Sequence, residues 1–248
     1  MSAAVLLTRQ IIFNSARRNS SHTHTTMQHL MRHLRQQRMK VIKSFSPNVP
    51  SGAMRITLCD THPSVVAAWN ESFRGVDPVE IVEGSLLDVD CRALVSPANS
   101  FGDMGGGVDQ QIDNFFGGAA QHAAMAAIRE RFCGELPVGM ALILDMQHPR
   151  FRFLVVSPTM RIPQGVEDTI NAYLSMRAIL VAILQHNQAD SSRIDSVAVP
   201  GLCTGVGGMP HTEAAQQMRV AYDNVIGEGW KQVVSPAMAP YAWRPRGQ

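Results

Sequence analysis

A run of three glycines, Gly105-Gly106-Gly107, most constrains how this chain can fold. The apolar residues 93–95 shortly before it predict a buried strand, and apolar residues at helical spacing resume at Val108. A strand, a glycine loop and a helix start form an anion site in many α/β proteins. Glycine lets backbone N–H groups turn inward, and the helix N-terminus adds partial positive charge. Asn99 and Asp109 add an amide and a carboxylate beside this loop.

A second glycine loop occupies residues 199–210, which read VPGLCTGVGGMP. It also follows a β-branched segment and precedes a helical pattern. Two such loops suit a ligand with a diphosphate, because each can donate backbone N–H groups from one side of the crevice at the carboxyl ends of the strands. Neither loop has the Walker A ending or a GxGxxG with a following acid, and HExxH and GxSxG do not occur. We therefore do not expect a kinase, a dehydrogenase or a serine hydrolase.

The remaining pattern predicts alternating strands and helices. Such alternation predicts an α/β sheet that is covered on both faces. We predict strands over 55–59, 79–82, 93–95, 140–144, 153–156, 196–199 and 232–234, and helices over 61–73, 108–116, 119–132, 167–184 and 212–226.

The amino-terminal segment differs from the rest of the chain in charge. Residues 1–59 contain no Asp or Glu and nine of the 22 Lys and Arg residues. We predict a basic leader over 1–53, a folded domain over 54–238 and a tail over 239–248. The leader is typical of a mitochondrial or other organellar transit peptide, but a disordered tail or a translation start at Met54 explains it equally well. Since Phe13 is its one aromatic residue before position 45, we do not expect it to bind nucleic acid by stacking.

Composition limits the other functional classes. The four cysteines are far apart and none has zinc-site spacing, so we expect no metal, no disulfide framework and a reducing, cytoplasmic environment unless the leader directs import. No apolar run reaches the roughly 20 residues that span a bilayer, so we expect no membrane partner. Nothing in the sequence calls for a cofactor.

Several separate motifs resemble those of the macro domain family. These are Ala98-Asn99, the run Gly105-Gly106-Gly107-Val108-Asp109, the loop Thr204-Gly205-Val206-Gly207-Gly208 and, in a macro-like branch, Pro158-Thr159-Met160-Arg161. The resemblance covers about residues 54–235. It implies a three-layer α/β/α sandwich with a mixed central sheet that binds ADP-ribose or a related nucleotide-diphosphate-ribose. It also implies that the partner is ADP-ribose itself or an ADP-ribosylated protein or metabolite.

The resemblance also implies roles for individual residues. Asn99 would contact the distal ribose, and Asp109 matches the carboxylate that some hydrolytic members use near C1″. The residues expected to hold the ligand are Gly105, Gly106, Gly107, Val108, Thr204, Gly205, Val206, Gly207 and Gly208. Two simpler roles compete with the catalytic ones: an Asn often bonds its own turn, and an acid in a first helical turn is favoured by the helix dipole.

The chain departs from the family pattern at the two ends of the expected ligand. Ser85 stands where an acid usually contacts the adenine amino group, with Asp60 and Asp88 as candidate substitutes. Gly207 stands where an aromatic residue often covers the distal ribose. Three functions therefore stay open: an ADP-ribosyl hydrolase, a non-catalytic ADP-ribose reader, and a structural α/β domain without a nucleotide ligand.

Overall fold

The computed structural model describes residues 54–189 and 192–240. The predicted leader over 1–53, and residues 241–248 of the predicted tail, lie outside the described residues.

The described chain contains strands and helices in alternation, as the sequence predicts. The strands are β1 (Arg55–Asp60), β2 (Val79–Glu83), β3 (Ala93–Ser96), β4 (Leu142–Asp145), β5 (Phe153–Val156) and β6 (Ser196–Val199). The helices are α1 (Pro63–Ser72), α2 (Gly107–Phe115), α3 (Ala119–Phe132), α4 (Asn171–Ala189) and α5 (His211–Val225). Short 3-10 turns occur at Leu86–Asp88, Gly229–Gln232 and Pro236–Met238.

The six strands form one mixed sheet in the order β2-β1-β6-β3-β5-β4. All neighbouring pairs are parallel except β4 and β5, which are antiparallel. Strand β6 lies between β1 and β3, so the last strand of the sequence joins the two halves of the sheet. Because β1, β3 and β6 are parallel, the loops that follow them emerge at the same edge.

Two apolar cores cover the two faces of the sheet. Strand β3 directs Ala93 and Val95 into one core and Leu94 into the other, because successive residues of a strand face opposite sides. The first core is closed by α1, α4 and α5, and the second by α2 and α3. This arrangement confirms the predicted three-layer α/β/α sandwich with a mixed central sheet.

Two predicted elements differ from the observed ones. The predicted helix over 167–184 begins later, at Asn171, because the Thr169 hydroxyl accepts the Asn171 N–H at 3.2 Å and ends the preceding turn. The strand predicted over 232–234 is wrong. A 3-10 turn occupies Gly229–Gln232 instead, and Val234 is 83% exposed, so this apolar residue has no sheet face to cover.

Over residues 54–189 and 192–240, none of the helices has the length and apolar character needed to cross a membrane. The same part of the chain holds no group of three or more His, Cys, Asp or Glu side chains arranged to bind a metal ion.

Gly102 gives a test of the turn that leads into the triple glycine. Its φ is +75°, and an added Cβ would lie 3.0 Å from Ile128 Cδ1. We expect Gly102→Ala to lower the free energy of unfolding by roughly 1–3 kcal/mol, from backbone strain and crowding. Gly106→Ala is the matched control, because Gly106 is extended and an added Cβ meets nothing within 4 Å. Chemical denaturation measures both, and an equal loss in the two variants would contradict the explanation.

Candidate functional site

The candidate site is a cleft at the carboxyl ends of β1, β3 and β6, with a cavity volume of about 600 Å³. Both glycine loops border it. Its lining also includes the segment after β1, the turn after β2 and residues that follow β5. Among the described residues that line it, none is a lysine or arginine, whereas three are aspartates: Asp60, Asp103 and Asp109.

The first glycine loop is held open by side chains that bond its own backbone. The Asn99 Oδ1 atom accepts the N–H groups of Phe101 at 3.0 Å and Asp103 at 3.3 Å. The Gln121 Oε1 atom accepts the Met104 N–H at 2.8 Å, and Asp103 accepts the Gly105 N–H at 3.0 Å. Asn99 therefore bonds the backbone of its own turn, which is the simpler of the two roles predicted for it. It also lines the cleft.

Helix α2 starts directly after this turn, with Gly106 as its N-cap. The first N–H groups of a helix have no partner within the helix, and together they carry partial positive charge. Gly106, Gly107 and Val108 all line the cleft, so this helix start opens onto it. It is therefore suited to bind an anionic group of a ligand.

Asp109 lies in the first turn of α2 and is half-buried. Burial raises the pKa of Asp109 from its ordinary value of 3.8 to about 7; the Ser96 hydrogen bond opposes this shift, and the charge of Asp103 adds to it. The Ser96 hydroxyl donates to Asp109 Oδ1 at 2.6 Å. Ser96 thus fixes the orientation of one carboxylate oxygen.

The second glycine loop is tied to the end of β1. Asp60 accepts the Gly201 N–H at 3.1 Å with one carboxylate oxygen and the His62 N–H at 2.9 Å with the other. Both carboxylate oxygens of Asp60 therefore bond backbone groups, and these bonds hold the second loop against the end of β1. This geometry argues against its suggested role as a substitute for the missing adenine-contacting acid, although it lines the cleft.

Gly207 has no room for the side chain that is often found at this position in the family. An added Cβ would lie 2.7 Å from the Cys203 carbonyl oxygen and 2.8 Å from Val166 Cγ2. Val166 is buried, and its N–H donates to the Gly207 carbonyl at 2.8 Å. Val166, from the segment between β5 and α4, fills the space beside the loop, so Gly207 is required by packing.

Two imidazoles of the cleft lining are joined by one hydroxyl. The Ser64 Oγ atom lies 2.9 Å from His62 Nδ1 and 2.7 Å from His211 Nδ1. Both histidines line the cleft. The Ser85 hydroxyl accepts the Leu87 N–H at 3.2 Å and caps the 3-10 turn. The sequence pattern did not predict this histidine pair, because it depends on the starts of α1 and α5 meeting in space.

The structure brings nearly all the predicted site residues together. Asn99, Asp109 and the predicted ligand residues of both loops line the cleft, except Gly208. Gly208 has a φ of +62° and donates its N–H to the Gly205 carbonyl at 3.0 Å, so it turns the chain instead of facing the cleft. Arg161 is exposed and pairs with Glu135 at 2.7 Å, outside the lining.

Cys203 lines the cleft but is not a reactive thiol. Burial raises the pKa of Cys203 to about 12, so the thiol stays protonated at neutral pH. Its φ of 65° shows that the residue serves the turn of the second loop. For Asp109, by contrast, burial brings the pKa of the carboxyl close to neutral pH.

The fold and this cleft define an α/β/α protein with a glycine-bordered ligand site. A family model described as "Macro domain" matches residues 95–218, half of the chain. An uncharacterized protein of Aquifex aeolicus is 33% identical over 140 residues, which are 56% of this chain and 78% of the relative. The chain belongs to the macro domain family.

Two further matches agree with this membership. A macro domain-containing protein of Caldanaerobacter subterraneus subsp. tengcongensis is 28% identical over 160 residues, 63% of this chain and 86% of the relative. A solved variant of the Oceanobacillus iheyensis macrodomain has a TM-score of 0.51 at 22% identity and covers 58% of this chain and 75% of its own. The structural match supports the fold.

The raised pKa of Asp109 predicts how pH changes stability. A carboxyl whose pKa is higher in the folded than in the unfolded state lowers the free energy of unfolding as pH rises from about 4 to about 7. Above pH 7 this decrease stays constant. We expect Asp109→Asn to remove this decrease in the free energy of unfolding, which reaches up to about 4 kcal/mol above pH 7. The variant should raise the melting temperature at pH 8 and change it little at pH 4.

Asp113→Asn is the matched control, because Asp113 lies one turn further along α2 and accepts the Gln121 N–H at 2.8 Å. Thermal unfolding from pH 4 to pH 8 measures both variants. Equal behaviour of the two, or a lower melting temperature of Asp109→Asn at pH 8, would contradict the buried-carboxylate explanation.

Proposed function

We propose that the protein binds ADP-ribose, free or attached to a macromolecule, in the cleft between the two glycine loops. The observation that carries this proposal is the meeting of the two loops at one sheet edge, from positions far apart in the sequence. Membership of the macro domain family supports the ligand class. Because no arginine or lysine lines the cleft, backbone N–H groups would hold the diphosphate.

The side chains that line the cleft support one orientation of the bound ADP-ribose. The first loop and the start of α2 lie at the end that holds Asp109, and this end would take the distal ribose. The opposite end, with Ser85, His62 and His211, would take the adenine base. Adenine would then meet imidazoles and a hydroxyl there in place of the acid of the family pattern.

Hydrolysis of an ADP-ribosyl linkage is the second candidate function, and the position and pKa of Asp109 favour it. A carboxylate with a pKa near the working pH is suited to act as a general base. In this reaction a water molecule attacks C1″, the bond from C1″ to the linked group breaks, and Asp109 takes the proton of the water. The leaving group takes a proton from solvent. Asn99 would act by holding the loop in shape.

A reader without turnover remains the alternative, and Gly207 favours it. The missing side chain at this position leaves the distal ribose without an aromatic cover, which weakens its positioning for attack. Binding and release therefore need separate experiments.

Binding is tested by calorimetry of the full chain with ADP-ribose. An added Cβ at Gly205 meets nothing within 4 Å, so the fold should accept a side chain there while the cleft loses space. We expect saturable binding that Gly205→Val weakens at least about tenfold, or about 1.4 kcal/mol. Ala119→Val, at the exposed start of α3, is the matched control. Absence of heat and of a thermal shift with millimolar ADP-ribose would overturn the ligand assignment.

Catalysis is tested by incubating the full chain with a mono-ADP-ribosylated protein. We expect release whose rate rises with pH around a midpoint near 7, because the base form of Asp109 is required. Asp109→Asn should lower the rate by a factor of at least about 100, whereas Asp113→Asn should not. Release that survives Asp109→Asn would contradict the catalytic role. Binding of ADP-ribose without release would favour the reader.

A further inference from the structure

A second concave site lies at the opposite edge of the sheet from the cleft. It occupies the amino-terminal side of β3 and β5 and includes the loop that joins β4 to β5. Its cavity volume is about 580 Å³. We name it the arginine groove after its lining, which consists of Arg92, Asp145, Gln147, His148, Pro149, Arg150 and Arg152.

The arginine groove is positively charged, because it holds three arginines and one aspartate. Arg152 pairs with Asp145 at 2.9 Å, and this contact lowers the pKa of the Asp145 carboxyl. One acid is thus neutralised by one of the three guanidinium groups. Neither Arg92 nor Arg150 has an acidic partner among the salt bridges of residues 54–189 and 192–240.

The groove arginines are oriented by aromatic rings. The Arg150 guanidinium lies 4.6 Å from the centroid of the Phe151 ring, and the Arg152 guanidinium lies 5.2 Å from that of Phe153. Both rings are buried, so they form a fixed surface under the cations. Stacking of this kind reduces the conformational entropy that an arginine loses when it binds an anion.

His148 adds a hydrogen-bond donor to the same groove. Its Nδ1 atom lies 3.2 Å from the Arg150 backbone nitrogen and 3.3 Å from that of Phe151, and both N–H groups donate to it. An Nδ1 that accepts hydrogen bonds carries no proton, so Nε2 is the donor of this ring. The edges of Phe115 and Phe116 hold this ring, with centroids at 5.0 Å and 5.6 Å.

From this geometry we propose that the arginine groove is a second ligand site, which binds a compact anion with two or more phosphate groups. Arginine forks bind phosphate oxygens in pairs, and the guanidinium groups of Arg92 and Arg150 together offer more donors than one phosphate can use. Single-stranded nucleic acid fits poorly, because Phe151 and Phe153 are buried beneath the arginines and present no face for base stacking. The site is chemically opposite to the cleft, whose charged lining is acidic.

The proposal is tested by calorimetry of the full chain with tripolyphosphate, in the presence of saturating ADP-ribose and in its absence. We expect saturable binding that ADP-ribose does not compete with, and about tenfold weaker binding for Arg92→Ala and for Arg150→Ala. Arg92→Lys, which keeps the charge and loses the fork, should give an intermediate affinity. Arg129→Ala, on the exposed face of α3, removes the same charge outside the groove and should have no effect.

Asp145→Asn separates a binding role from damage to the fold. It removes the negative charge of the one acid of the groove, so it should strengthen tripolyphosphate binding several-fold, a result that misfolding cannot produce. Three results would each overturn the proposal: no saturable binding, binding unchanged in the double variant Arg92→Ala/Arg150→Ala, or equal binding of citrate. Binding of a DNA duplex that tripolyphosphate does not displace would also contradict a compact ligand.

Discussion

The parallel pairing of β6 with β1 on one side and β3 on the other is the constraint on which the site depends. It brings the two glycine loops, which are distant in the sequence, to the same edge of the sheet. Asp60 then ties the second loop to the segment that follows β1, because its carboxylate accepts the N–H groups of Gly201 and His62. A loss of this pairing would separate the loops even if each kept its local turn.

Burial of Asp109 is the clearest case in which the site works against the stability of the fold. The carboxylate has one hydrogen-bond donor, Ser96, and otherwise loses hydration without a cation to replace it. Proteins retain such unfavourable groups mainly where function needs a shifted pKa. The described lining of the cleft contains no arginine or lysine, and this also keeps the pKa of Asp109 high, because a nearby cation would lower it.

Much of this architecture could be predicted from the sequence. The apolar runs identified the six observed strands, and the glycine runs after β3 and β6 identified both loops that border the cleft. Local patterns could not reveal that Val166 fills the space at Gly207, or that Ser64 joins His62 to His211. Each of these contacts depends on segments that meet only through the sheet order. The strand predicted over 232–234 was wrong because two adjacent valines do not define a sheet face.

Chemical-shift mapping of the backbone amides during titration with ADP-ribose tests directly whether the two glycine loops bind this ligand. We expect the largest shifts at Gly106, Gly107 and Val108 and, in the second loop, from Thr204 to Gly207, because these backbone groups would hold the diphosphate. Saturable binding with these amides unchanged, and with the shifts confined to residues away from the cleft, would contradict it.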